Sequence, residues 1–161
     1  MVLAIRRLSE KDTAAVADLL VGYWKERASK NWARKYVEEG HVTEVAYDEF
    51  FVAEEGGELA GVLAVIVYEG GVAELRDFVM LPKHRGKGGG ETFLSFMLAL
   101  LERSGARKVF TLVSPETKHF YTRLGFTQEG LLKDHSRAGE HLAVMSYFFR
   151  KGQRKLGAYA R

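Results

Sequence analysis

Residues 79–90 read VMLPKHRGKGGG, and the apolar run FLSFMLALL follows at 93–101. The strand-like stretch ends at Pro82, which removes a ladder donor. Four glycines then fall within the six positions 85–90, in the company of Arg85 and Lys87. A loop between a strand and a buried helix brings its own N–H groups and the unpaired amides of the helix start to one spot, and such a spot binds anions. Ordering each glycine costs ~0.5–1 kcal/mol relative to alanine. Close approach by a ligand explains that cost, because glycine admits positive φ and carries no Cβ to hold a phosphate away. Two familiar phosphate motifs do not fit. A Walker loop needs Lys then Ser or Thr, whereas Glu91 and Thr92 follow Gly90, and a dinucleotide fingerprint lacks its third glycine in GKGGGE.

Working outward, Ala4–Leu8 reads as a first strand, and Ser9 with Asp12 three residues on as the capping pair of a helix whose buried stripe is Val16, Leu19, Leu20 and Tyr23. A second helical region runs through Trp32 and Tyr36 towards Val45. Phe50–Ala53 and Leu59–Tyr68 are strands joined by EEGGE, whose paired glycines suit a tight hairpin. Val72–Leu81 is the third strand of this meander. Residues 91–104 form a helix closed by Gly105, Val109–Val113 a strand, and Ser114 with Pro115 the cap and first residue of a helix closed by Gly125. Phe126–Glu129 and Leu142–Phe149 supply two final strands. This order predicts an α+β fold with one parallel step: a mixed, mostly antiparallel sheet of about seven strands flanked by about four helices.

The chain has 161 residues, 47% of them hydrophobic, enough for one domain with a core. The absence of cysteine excludes disulfides, thiolate metal sites and cysteine nucleophiles. The start lacks the order of a secretory signal, and no apolar run approaches the roughly 20 residues of a membrane span; a soluble, cytoplasmic protein without membrane contact is expected. Residues 150–161 hold five Lys or Arg and no acid, which leaves 24 − 5 = 19 basic against 21 acidic residues elsewhere. The basic balance is therefore a tail property. We read residues 1–149 as the domain and 150–161 as a solvated basic tail, with an RNA-binding arm as the alternative. His84, His119, His135 and His141 show no metal-ligand spacing and are read as surface or loop residues, so no metal is expected.

Arg85, Gly88 and Gly90 spell Arg-x-x-Gly-x-Gly, and with the preceding Met80-Leu81-Pro82 the stretch resembles the acetyl-CoA signature of the GCN5-related N-acetyltransferase (GNAT) superfamily. FYTRLGF at 120–126 matches the second signature of that superfamily, and the element order agrees along the whole chain. The resemblance implies that Arg85, Gly86, Lys87, Gly88, Gly89 and Gly90 hold the pyrophosphate of acetyl-CoA, and that the backbone of Val79 and Met80 pairs with the pantetheine arm. It implies that the Met80 amide, freed by a bulge, meets the developing oxyanion, and that Tyr121 protonates the departing thiolate. Ser114 stands where the family frequently has Asn, and the resemblance implies a contact with pantetheine there.

An alkyl ammonium is almost wholly protonated at neutral pH, so a base is also needed. Glu74 and Asp77, three apart on a regular strand, point to opposite faces, and Glu74 is the favoured base. The implied activity is transfer of the acetyl group of acetyl-CoA to a primary amine by direct attack. A non-catalytic CoA- or RNA-binding module and a transferase of longer acyl groups are the alternatives. The acceptor, a small-molecule or protein amine, is expected against the first two helices and the last hairpin, near Tyr23, Trp24, Trp32, Tyr36 and Tyr47. Dimerisation is common in such folds, and nothing in the sequence establishes a homodimer.

Overall fold

The structure, a computed structural model, describes residues 2–24, 30–39 and 46–149. Its strands are β1 (Ala4–Arg7), β2 (Ala46–Glu55), β3 (Glu58–Tyr68), β4 (Val72–Met80), β5 (Lys108–Val113), β6 (Thr127–Arg137) and β7 (Glu140–Phe148). Its helices are α1 (Thr13–Trp24), α2 (Lys30–Glu39), α3 (Gly89–Arg103) and α4 (Lys118–Arg123). The seven strands form one sheet in the order β1-β2-β3-β4-β5-β7-β6. Only the central β4–β5 pair is parallel. The fold class read from the sequence is the one found.

Alternation along the strands sends side chains to two cores. On one face, Phe93, Leu94, Met97, Leu98 and Leu101 of α3, with Tyr121 of α4, pack on Leu63, Val65, Leu75, Val109 and Met145. On the other, Val16 and Leu20 of α1 and Val37 of α2 cover Phe50, Val52, Val62, Ala64 and Val79. The middle of β3 is buried from both sides, which is why it reads as a continuous apolar run. Among the described residues no helix is long and apolar enough to cross a membrane.

The β2–β3 hairpin turns at Gly56 and Gly57, both at positive φ, as expected from EEGGE. Ser9 N–H donates to Asp12 at 2.7 Å, but the residues it opens, Glu10–Asp12, form a 3₁₀ turn ahead of α1. The segment after β5 differs from expectation in the same way. Ser114 makes no side-chain cap bond, Pro115–Thr117 is a 3₁₀ turn, and the helix proper starts at Lys118. β6 runs eight residues beyond Glu129, to Arg137. As a mostly exposed edge strand it has no buried face to impose alternation on its sequence, so its length exceeds the expected Phe126–Glu129. The basic tail, and the side chains of Trp24, Trp32 and Tyr47 once counted towards an acceptor cleft, lie outside the described residues.

Candidate active site

β4 and β5 are paired only over Val72–Leu75 and Lys108–Thr111. Beyond that point β4 continues to Met80 beside β3, while β5 continues to Val113 beside β7. The sheet therefore forks, and among the described residues each prong has one edge without a strand partner. The edge of β4 is defined by alternation: Leu81 N–H donates to Ala60 O at 2.8 Å, so Leu81 and Val79 present their polar groups to β3. Val79 thus pairs with Val62 rather than facing the fork. Met80 and Phe78 present their polar groups to the open side, and Phe78 is a fork residue that the sequence reading missed.

A bulge does interrupt β4, but ahead of Met80. Val62 pairs with Val79 while Ala64 pairs with Arg76, so one extra residue is accommodated on β4, and Asp77 takes φ +48°. The consequence overturns the expectation that Glu74 and Asp77 face opposite ways. Glu74 lies opposite Ile66, on the same face of the sheet as Ala64 and Val62 under α1 and α2. The Asp77 carboxylate accepts from Tyr36 Oη of α2 at 3.0 Å, on that same face. Phe78 returns to the opposite face against Phe93 and Phe120. Regular alternation would have separated the two acids; the extra residue brings them together.

Glu74 itself is 8% exposed. It accepts from Tyr68 Oη at 2.6 Å and lies 3.4 Å from Arg76 Nε. Its neighbours Ile66 and Phe110 flank it on both sides, in the closed part of the sheet just before the fork.

At the mouth of the fork, Pro82–His84 form a 3₁₀ turn that leads into the glycine loop. Arg85 Nε donates to Met80 O at 2.8 Å and ties the loop back to β4. Gly86 and Gly88 have φ of +70° and +80°, and nothing lies within 4 Å of where their Cβ atoms would be. Gly88 is the N-cap of α3, whose first intrahelical bond is Thr92 N–H to Gly88 O at 3.0 Å. The amides of Gly89, Gly90 and Glu91 precede that bond. Among the described residues those of Gly86, Lys87 and Gly88 have no backbone acceptor. Gly90 is different: a Cβ there would touch Met80 Cγ at 3.6 Å and the Phe120 ring at 3.7 Å, so it serves packing.

Tyr121 stands on the β5 side, 7% exposed, ringed edge-on by Phe120 and Phe126. Burial pushes its phenol well above the usual range, and the nearby phenol of Tyr23 adds to this. The hydrogen-bonding influence of the Thr111 hydroxyl opposes the shift. Ser114 follows β5 directly, half-buried, its hydroxyl 3.5 Å from that of Thr117. Among the described residues no group of His, Asp and Glu could hold a metal ion. His84 is not the surface residue expected: it is 6% exposed, with Nδ1 2.6 Å from Glu55 Oε2.

Residues 46–128 match the family described as the acetyltransferase (GNAT) domain. The chain belongs to the GNAT acetyltransferase family. An uncharacterized N-acetyltransferase of Chlorobaculum tepidum is 31% identical over 80 residues, which are 50% of each chain, so this chain spans about half the length of that curated relative. Among solved structures, a GNAT-family protein of Desulfovibrio desulfuricans superposes with TM-score 0.75 at 22% identity, over 91% of this chain and 99% of the other. Spermidine N-acetyltransferase of Vibrio cholerae, solved with CoA and spermine, gives TM-score 0.75 at 22% identity over 91% and 95%. At such identities these likenesses establish the GNAT fold of the chain.

Proposed function

We propose that residues 1–149 are an acetyl-CoA-dependent N-acetyltransferase that acts on a primary amine. The observation that carries this is the fork. A strand edge with outward amides, an anion-binding loop at its mouth and a buried, protonated phenol on its far wall are the three groups that acyl transfer from a CoA thioester requires. The residues fit that cosubstrate: nothing lies within 4 Å of where a Cβ would stand on Gly86 or Gly88, and among the described residues the amides of 86–88 have no backbone acceptor. Arg85, Gly86, Lys87, Gly88, Gly89 and Gly90 would hold the pyrophosphate, and Met80, with Phe78, would hold the pantetheine arm along β4. Ser114 is retained as a contact at the end of β5, and Val79 as support through its pairing with β3.

When bound, acetyl-CoA supplies an activated acetyl group. The chain then has three tasks. An outward amide of β4 donates to the oxygen that gains charge. Tyr121 donates its phenolic proton to the leaving sulfur, and its raised pKa keeps that proton in place throughout the neutral range. A carboxylate on the α1–α2 face takes the proton of the incoming ammonium, directly or through water.

Glu74 is our first choice for this base. Asp77 is the second reading, favoured by its place on the bulge beside the outward-facing Phe78 and by the Tyr36 bond that orients it. The acceptor would approach from this face, near Tyr23 and Tyr36. The experiment is to incubate the protein with acetyl-CoA and a panel of primary amines and follow free thiol. Amine-dependent thiol release is expected; CoA binding without thiol release across a broad panel would make the fork a binding module.

A further inference from the structure

His84 is a buried imidazole with no part in the chemistry above. It occupies the last position of the turn before Arg85, and while Nδ1 meets Glu55, Nε2 is buried with no hydrogen-bond partner among the described residues. A carboxylate offers only acceptors, so Nδ1 carries the proton and donates. An aliphatic or aromatic side chain would fill the same space without orphaning a polar atom. Retention of an imidazole here points to the direction of its one bond.

That bond belongs to a set. Leu81 N–H donates to Ala60 O at 2.8 Å, Lys83 pairs with Glu58, and His84 pairs with Glu55. All three tie residues 81–84 to the β2–β3 hairpin end. His84 is the last of these anchors before the loop. Gly86 and Gly88 have no side chains by which the loop could be held. Its course is therefore set at its two ends, by α3 on one side and by the turn, with the Arg85 bond to Met80 O, on the other.

We propose that His84 and Glu55 form a positioning pair that aims the 86–88 amides at the cosubstrate phosphates. The pair rests on the acetyl-CoA reading of the fork. It acts on affinity for CoA and leaves affinity for the amine alone, since neither residue faces α1 or α2 in any contact described.

Calorimetric titration with CoA, with thermal unfolding of the same samples, tests this. The double variant His84→Leu/Glu55→Ala and each single change should weaken CoA binding by similar factors, about tenfold, because either change removes the whole bond. His84→Asn, whose amide nitrogen stands where Nδ1 does, should bind within about twofold of the parent. The KM for the amine should not move. Glu55→Ala, at the hairpin surface, keeps the test available if His84→Leu fails to fold. Additive losses in the double variant, equal losses in His84→Asn and His84→Leu, or unchanged binding in Glu55→Ala would each overturn the proposal. If the parent protein itself bound no CoA, the transferase reading would fall and this one with it; intact parent binding with unaffected variants would sink this one alone.

Discussion

At the residue scale, the proposed function would divide the proton transfers between the phenol of Tyr121 and the carboxylates of β4, on two faces of one sheet. Tyr121 lies with α3 and α4, whereas Glu74 and Asp77 lie with α1 and α2. A proton lost by the amine on one face and a proton gained by sulfur on the other need not compete for a single group. Replacing Tyr121 by Phe removes only the oxygen, so turnover should fall by roughly 10²-fold while CoA binding changes little, read as kcat against calorimetric affinity. An equal loss of both would show that the ring is a packing element alone. The two acids are separated by substitution: Glu74→Gln and Asp77→Asn should each retain CoA affinity, and the one serving as base should lose roughly 10²-fold or more in kcat/KM and with it the acidic limb of the pH profile. If neither variant alters that limb, the proton leaves by another route. These roles differ in how far a single sequence discloses them. Tyr121 is marked by its place in FYTRLGF. The shared face of Glu74 and Asp77 depends on one inserted residue, which no spacing rule reveals, because β4 reads as an unbroken strand.

At the scale of elements, the loop at 85–90 works through conformation at some positions and packing at others. Gly88 sits at φ +80° as the cap of α3, where an L-residue is strained by about 1–2 kcal/mol. Gly88→Ala should therefore lower stability by about that amount and weaken CoA binding several-fold as the loop relaxes. Gly90→Ala meets only ordinary contacts within a helix and should leave thermal stability unchanged or raise it by up to about 1 kcal/mol. Comparable damage from the two substitutions would refute this division. The need for glycine at the loop's positive-φ positions is legible in the sequence, while the packing role of Gly90 is not, since it depends on Met80 and Phe120 arriving from elsewhere.

The first turn of the chain makes a similar point. Ser9 and Asp12 are legible as a cap, but Asp12 also receives Arg6 of β1 at 2.7 and 2.9 Å, and Arg6 reaches Glu54 of β2 as well. Arg6 above all holds the Asp12 carboxyl well below the usual range, against the opposing effect of burial. A depressed folded-state pKa gives stability that is complete above the unfolded value, about pH 4, and is lost as pH falls through the folded one. Asp12→Asn should cost roughly 1–2 kcal/mol at pH 7, and the gap to the parent should close as the samples are acidified. A gap independent of pH would place the effect in packing.

On the scale of the whole molecule, the fork divides the sheet into β1–β4 and β5–β7, joined by the short parallel pairing of Val72–Leu75 with Lys108–Thr111. α3 connects the two halves in sequence and shares one core with both, with Leu75 and Met80 of one half and Val109 and Met145 of the other. The topology followed from the order of elements because the single parallel step demands a crossover helix, and α3 is the apolar segment long enough to supply it. How far the strands stay paired is a matter of tertiary geometry and was visible only in the structure. A cosubstrate lying in the fork would supply the strand pairing that β4 and β5 lack beyond Leu75 and Thr111. It should stabilise both halves together, since no path through the sheet bypasses that junction.

At a concentration of 100 times Kd, CoA contributes about 2.7 kcal/mol to the folded state. For a chain of this size that corresponds to roughly 5–11 °C in unfolding temperature. Hydrogen exchange should then show amides of Phe78 and Met80 slowed with that of Leu112 on the opposite prong. Slowing confined to the 85–91 loop would mean that the phosphates bind while the arm lies outside the fork, and the thioester would then never reach the wall that carries Tyr121.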